Sequence, residues 1–172
     1  KAALTMEPDI IVQMDADLSH PPEAIPSMLN RFDTADVVIG SRYVEDGAVD
    51  PRWRWTRRIL SRCGNAYARM VGGVLVRDAS SGFKAFRRQV IETLSLESFQ
   101  CKGFGFQTEV TMACQMLGLN IVEYPIHFTD RRKGASKISC GIVWEALWRL
   151  PLIRMRSAIG PRNTDHSQYH ER

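Results

Sequence analysis

The sequence predicts one α/β domain, on three observations. Short β-branched runs alternate along the chain with segments of helical period. Two of those runs, at 9–14 and 36–40, flank one helical segment, the strand–helix–strand unit that parallel strands require. The 172 residues are 44% hydrophobic and 24% charged, a globular balance with enough apolar residues for one core.

The elements follow in order. Asp9-Ile10-Ile11-Val12-Gln13-Met14 reads as a buried parallel strand that stops at Asp15-Ala16-Asp17. Pro21-Pro22 suits a first helical turn, where a missing N–H costs nothing, and Ile25, Met28, Leu29 and Phe32 continue at helical spacing. Asp36 to Gly40 is a second short buried strand. After a loop with Gly47 and Pro51, Trp53 to Val71 reads as a long helix stopped by Gly72-Gly73. Its apolar stripe is Ile59, Cys63, Ala66, Tyr67 and Met70, and its polar stripe Arg58, Arg62, Asn65 and Arg69. Ser81 to Phe86 reads as a strand, Val90 to Leu96 as a short helix, and Gln107 to Leu117 as an amphipathic helix closed by Gly118. Asn120 to Phe128 is a strand that Pro125 places near a sheet edge. A basic loop, Arg131 to Lys137, precedes a helix from Ser139 to Arg149. The domain is expected over 1–160, with Pro161 to Arg172 a flexible polar tail. The absence of an initiator Met suggests a piece of a longer chain.

Several function classes are disfavoured. No apolar stretch approaches the roughly 18 residues a membrane-spanning helix needs. Cys63, Cys101, Cys114 and Cys140 have no C-x-x-C spacing, so they read as free thiols of a reducing cytoplasm rather than zinc ligands or a redox dithiol. A net charge of +4 is modest for a nucleic-acid binder, and no helix-turn-helix, zinc finger or RNP-like motif is present.

The chemistry concentrates in three places. Asp15 and Asp17 stand two apart at the end of a strand, so their carboxylates share a side, where open α/β sheets bind ligands. Such hard oxygens suit Mg²⁺ or Mn²⁺; a solvated loop capping the next helix is the competing reading. Arg42, Arg52, Arg54, Arg57, Arg58, Arg62 and Arg69 form the second group, with no acid between Asp50 and Asp78. A guanidinium fork matches phosphate, whereas a merely solvated helix face usually mixes signs. The third group is Arg131-Arg132-Lys133-Gly134-Ala135-Ser136-Lys137, whose glycine and serine offer backbone donors to an anion. Together they suit a phosphate-rich ligand with a bridging cation. Asp78 with the Ser80-Ser81-Gly82-Phe83 turn lines a sugar or acceptor site, or is only a turn with a packed aromatic. Gln107 and Glu109 begin a helix, where the dipole favours a carboxylate. His20 lies near the acidic pair, and His127 reads as structural.

These motifs, taken together, resemble a known family. Met14-Asp15-Ala16-Asp17-Leu18-Ser19-His20-Pro21-Pro22-Glu23 and Gly40-Ser41-Arg42-Tyr43-Val44 look like the metal-binding core of family 2 glycosyltransferases. Arg57-Arg58-Ile59-Leu60-Ser61-Arg62 with Asn65, Asp78 to Phe86, Gly103 to Glu109, Val122 to Phe128, and Arg131 through Lys137 narrow the similarity to polyprenol (dolichol) monophosphate mannose synthases. The resemblance implies a GT-A, Rossmann-like fold with a mostly parallel sheet. It implies inverting transfer of mannose from GDP-mannose to a polyprenyl phosphate at the cytoplasmic face of a membrane. By the same analogy Asp15 and Asp17 face the diphosphate and the divalent metal. Ser19, often Gln in the family, stands in the metal shell. Arg42, Arg57 and Arg131 meet phosphates, and Ser61, Asp78, Gln107, Glu109 and Lys137 line the substrates. Family members carry about two further β-α units upstream, so the chain alone is expected to bind GDP-mannose poorly. Ile142, Val143, Leu147 and Leu150, with Trp144, Trp148, Arg149, Arg154 and Arg156, form either an interfacial helix or one packed on the domain. The rival readings are transfer of glucose or N-acetylglucosamine to the same lipid phosphate, or a non-catalytic phosphate- or lipid-binding module.

Overall fold

The computed structural model describes residues 3–94, 99–101, 103–130 and 147–155. The centre is β2, Val37–Ser41, buried at every position. Its side chains alternate across the sheet as the two-residue strand repeat requires: Val37 and Ile39 enter one apolar cluster, Val38 the other. Around it lie β1 (Ile10–Gln13), β4 (Lys84–Arg87) and β5 (Ile121–Pro125), in the order β1-β4-β2-β5. β2 pairs parallel with β5, while β4 runs antiparallel to both β1 and β2. Three of the four strands therefore share one direction, as expected, and β4 alone is reversed. The sequence did not show that β4 enters between β1 and β2. That insertion leaves β1 at the end of the sheet and only half-buried, not the buried strand expected.

The expected strand over 120–128 divides in two. β5 ends at Pro125 on the opposite edge of the sheet, where a residue without an N–H is tolerated. Ile126 then turns the chain, its N–H donating to the Ser41 carbonyl and its carbonyl accepting from Ala48. β6 (His127–Phe128) continues into a separate two-stranded parallel sheet with β3 (Ala48–Val49).

The helices cover the two faces. α1 (Ile25–Leu29) is short and flanked by 3-10 turns, yet it buries Met28 and the following turn buries Phe32, as the spacing requires. α3 spans Arg88–Thr93 and α4 Phe104–Met116. Residues 147–155 are helical, and Leu150 is buried in the cluster formed by Val110, Met112 and Ala68. This part of the C-terminal helix is packed on the domain; Ile142, Val143, Trp144 and Arg156 lie outside the described residues.

α2 (Trp55–Met70) is inverted relative to the usual amphipathic rule. Its buried residues are Asn65 and Ala68, whereas Trp55, Ile59 and Met70 are 71%, 52% and 74% exposed. Cys63 is exposed on the same side. Asn65 of the polar stripe faces inward because it meets polar partners there, with Ala68 and Tyr67 beside it against the core, while Arg62 and Arg69 stay exposed. Arg154 closes the helix end, donating from Nη1 to the Met70 and Val71 carbonyls.

Candidate active site

The site forms where β1, β2 and the turn before β4 end beside the start of α2. β1 delivers Asp15 and Asp17 into a tight loop. Leu18 adopts a positive φ of 63°, uncommon for a branched-chain residue, and this turn brings Ser19 back onto its neighbour. The Ser19 N–H and hydroxyl both donate to Asp17 Oδ1, at 3.1 and 2.5 Å. Ser19 is fully buried, so in this arrangement it orients Asp17 from behind. The His20 Nδ1 accepts the Asp15 N–H at 3.1 Å. Burial lowers the His20 pKa, with Asp15 opposing, so the ring is held neutral with Nδ1 as acceptor. Asp17, Arg42 and Asp78 also act on that ring, which places the loop, β2 and the turn within one electrostatic neighbourhood.

The second wall is the segment Asp78–Phe83. A Cβ built on Gly82 would lie 3.6 Å from both Asp15 carboxylate oxygens, so the turn closes directly against the acidic pair. Ser81 Oγ donates to the Gly40 carbonyl at 2.6 Å. Close approach is needed here, since a Cβ on Gly40 would meet the Phe83 ring at 2.8 Å. Glu123 of β5 anchors the other end of the turn, accepting the Arg77 and Asp78 N–H groups at 2.7 and 2.9 Å.

Arg42 is clasped by this wall. Its Nε and Nη2 donate to the two Asp78 carboxylate oxygens at 2.7 Å each, and Nη2 also reaches Ser80 Oγ at 3.0 Å. Burial raises the Asp78 pKa, but the charge and hydrogen bonds of Arg42 outweigh it and leave the carboxyl below its ordinary value. Asn65 of α2 completes the network: its Nδ2 donates to Ser80 Oγ at 3.1 Å and its Oδ1 accepts the Ser80 N–H at 3.2 Å. Ser61 accepts the Tyr43 hydroxyl at 2.7 Å.

Arg57 is held differently. Its Nη1 pairs with Asp130 at 2.8 Å, and both side chains keep part of their surface, 22% and 34%. The guanidinium lies 3.8 Å from the Trp53 ring centroid. A partly exposed pair contributes about 0–1 kcal/mol, so an arriving phosphate can displace Asp130. A buried bidentate pair such as Arg42–Asp78 does not exchange so cheaply.

The expected site residues thus fall into groups. Asp15, Asp17, Arg42 and Asp78 share one electrostatic neighbourhood at His20, with Ser19 bonded to Asp17; Ser61 is joined to Tyr43 and Arg57 to Asp130. Gln107 and Glu109 have other partners: Gln107 accepts from Lys84, and Glu109 accepts the Gln100 and Cys101 N–H groups. Arg131 and Lys137 lie outside the described residues. Sequence reasoning missed Glu123, Trp53 and Asp130 as organisers of the site. For Asp130 a signal existed, since it is the acid immediately preceding the basic run.

Lys84, fully buried beneath the site, donates from Nζ to the Gln107 carbonyl at 2.9 Å and to Gln107 Oε1 at 3.0 Å. Burial pushes its ammonium down to about 7, with Cys114 and Asp78 opposing. The unfolded chain therefore holds this proton at pH values where the folded chain has released it, so stability rises with pH above 7. The window closes near pH 9, where burial, which pushes the Cys114 thiol up to about 12, begins to favour the unfolded thiolate. Relative to Lys84→Met, the wild-type protein gains up to about 1.4 kcal/mol per pH unit from about pH 7 towards the ordinary lysine value of 10.5 in urea unfolding, because Cys114 titrates in both proteins.

Among the described residues no group of three or more His, Cys, Asp or Glu could hold a metal ion. Asp15 and Asp17 nonetheless fit a hard divalent cation that takes its remaining ligands from water and a substrate phosphate.

The family model for glycosyl transferase family 2 matches residues 1–95. The chain belongs to glycosyl transferase family 2. Among curated members, it is 42% identical over 139 residues to the undecaprenyl-phosphate mannosyltransferase of Micrococcus luteus, covering 81% of this chain and 57% of that one. It is 41% identical over 142 residues to the polyprenol monophosphomannose synthase of Mycolicibacterium smegmatis, covering 82% and 53%. The chain therefore spans about half the length of the curated relatives it matches. A solved glucosyl-3-phosphoglycerate synthase from Mycobacterium tuberculosis, in complex with Mn²⁺, UDP-glucose and phosphoglyceric acid, superposes with a TM-score of 0.57 at 18% identity, covering 89% of this chain and 51% of that one. At that identity the likeness concerns the fold alone, and it agrees with the GT-A architecture expected from the sequence.

Proposed function

We propose that this family 2 chain belongs to an enzyme that transfers mannose from GDP-mannose to a polyprenyl phosphate with inversion at the sugar carbon. The observation that carries the reading is the meeting of the Asp15–Asp17 loop with the Gly82 turn, beside an exchangeable Arg57. The names of the relatives at 41–42% identity support the sugar and the lipid phosphate.

The chemistry fits these residue types. An ionised phosphate oxygen of the acceptor attacks the anomeric carbon, forming a C–O bond. The bond to GDP breaks, and GDP leaves with the electron pair. The nucleophile is already anionic, so no strong general base is required. The difficulty is bringing two anions together. Arg57, released from Asp130, holds the acceptor phosphate, and the Arg42–Asp78 clasp keeps the rear wall rigid. Asp15 and Asp17 would hold Mg²⁺ or Mn²⁺, which supplies charge neutralisation at the departing diphosphate.

The acceptor is a membrane lipid, and no helix of the described residues is long and apolar enough to cross a membrane. Peripheral contact at the cytoplasmic face is supported by α2. Trp55, Ile59 and Met70 point outward, exposed Arg54, Arg62 and Arg69 lie along the same helix, and the helix contains no acid. An apolar stripe flanked by arginines suits an anionic lipid surface. Ile59→Asp/Met70→Asp raises KM for vesicle-borne acceptor by about tenfold or more, and leaves KM for a short-chain soluble acceptor phosphate unchanged.

The full-length protein, given labelled GDP-mannose, Mg²⁺ and polyprenyl phosphate, is expected to form the lipid-linked mannose with the inverted anomer. Preference for UDP-glucose or UDP-N-acetylglucosamine would reassign the sugar. No transfer from any donor would leave the non-catalytic module.

A further inference from the structure

We infer that the end of β6, Phe128–Asp130, sets the spacing between the carboxylate loop and the arginines, with Phe128 as a positioning residue for both sides. This rests on the transferase reading above. Four separate parts of the chain meet this short segment. From the carboxylate loop, the His20 ring lies edge-on to Phe128 at 5.3 Å, and the Ser19 carbonyl accepts the Thr129 N–H at 3.1 Å. From the end of β2, the Arg42 guanidinium sits 5.4 Å from the Phe128 centroid. From the approach to α2, Trp53 packs edge-on at 5.5 Å and carries Arg57 on its own ring. From the loop after β3, Asp50 Oδ2 accepts the Asp130 N–H at 2.7 Å. Asp130 then pairs with Arg57.

Phe128 is 8% exposed but belongs to neither apolar cluster of the described residues. Its neighbours are rings and a cation, which recognise the quadrupole of an aromatic face and edge rather than apolar volume alone. β6 has only two residues paired with two of β3, so the ladder contributes little to holding this register. Arg131, the first residue of the basic run, follows Asp130 directly in the chain. One ring therefore lies between His20, which fixes the Asp15 amide, and Trp53, which carries Arg57.

The test uses the full-length protein. Calorimetry with Mn²⁺ plus GDP reads the carboxylate side, and KM for polyprenyl phosphate reads the arginine side. Phe128→Leu is expected to weaken both by about tenfold per folded molecule, whereas Asp130→Asn, which removes the carboxylate an acceptor phosphate must displace, changes only the second and lowers that KM. Constants within about twofold of wild type for Phe128→Leu, with only a lower melting temperature, overturn the inference. If that variant does not fold, Trp53→Leu replaces it. Weaker binding of Mn²⁺ plus GDP is then expected, although the Trp53 ring meets Phe128 and Arg57 rather than the carboxylates; unchanged binding overturns the inference. Should the wild-type protein bind neither probe, the transferase reading fails by itself. The coupling is then read without ligand: Trp53→Leu must speed hydrogen exchange at the Asp15 and Thr129 amides together, and unchanged exchange sinks it.

Discussion

Asp78→Ala lowers the unfolding free energy by about 3–5 kcal/mol, a large share of a domain's total. Asp78 is wholly buried and the Arg42 side chain is 10% exposed, so removing the carboxylate strands a guanidinium with little water to solvate it. The same change releases Ser80 and the backbone N–H of Arg42, which donates to Asp78 at 3.0 Å. Urea unfolding at neutral pH measures the loss. Replacing both partners, as in Asp78→Leu/Arg42→Met, recovers much of the stability because no charge is left buried, yet it does not recover transfer. The pH dependence has a definite sign. The folded-state pKa of Asp78 is lowered, so its contribution is fully present above the unfolded carboxyl value and is lost as pH falls through the folded one. The difference between wild type and Asp78→Ala therefore shrinks on acidification. A difference that stays constant down to the acid transition would show that the pair does not act as described.

On the proposed function, Asp17→Asn reduces sugar transfer by about 10²–10³-fold while leaving the fold in place. Asn keeps an oxygen that can accept the Ser19 N–H and hydroxyl, so the loop retains its two local bonds. Only the negative charge is removed. Metal affinity falls together with kcat, which titration with Mn²⁺ against the rate separates from misfolding. A melting temperature within a few degrees of wild type, with normal transfer, would favour a binding module without catalysis.

The contrast between Arg42 and Arg57 explains why the site was only partly legible beforehand. Both arginines follow the same logic in the sequence, a basic side chain beside a strand or helix end. Their carboxylate partners lie 36 and 73 residues further along, and no local pattern reveals them. Burial then separates their roles: Asp78 is sealed, whereas Asp130 is partly open to solvent. α2 was legible as a helix but not in its orientation. Asn65 and Ser61 turn inward because they find Ser80 and Tyr43 there, and local hydrophobicity does not record distant hydrogen-bond partners.

The elements β2, α2 and α4, and the acidic pair closing β1, were set by local chemistry: β-branched runs, helical spacing, and carboxylates two residues apart at a strand end. Those signals act within a few residues, so the chain alone determined them. The insertion of β4 between β1 and β2, the inward turn of Asn65 on α2, and the division of the arginines into a sealed clasp and an exchangeable contact were decided only by the tertiary structure. Each depends on which distant groups share a desolvated space, and desolvation is a property of the packed molecule rather than of any stretch of sequence.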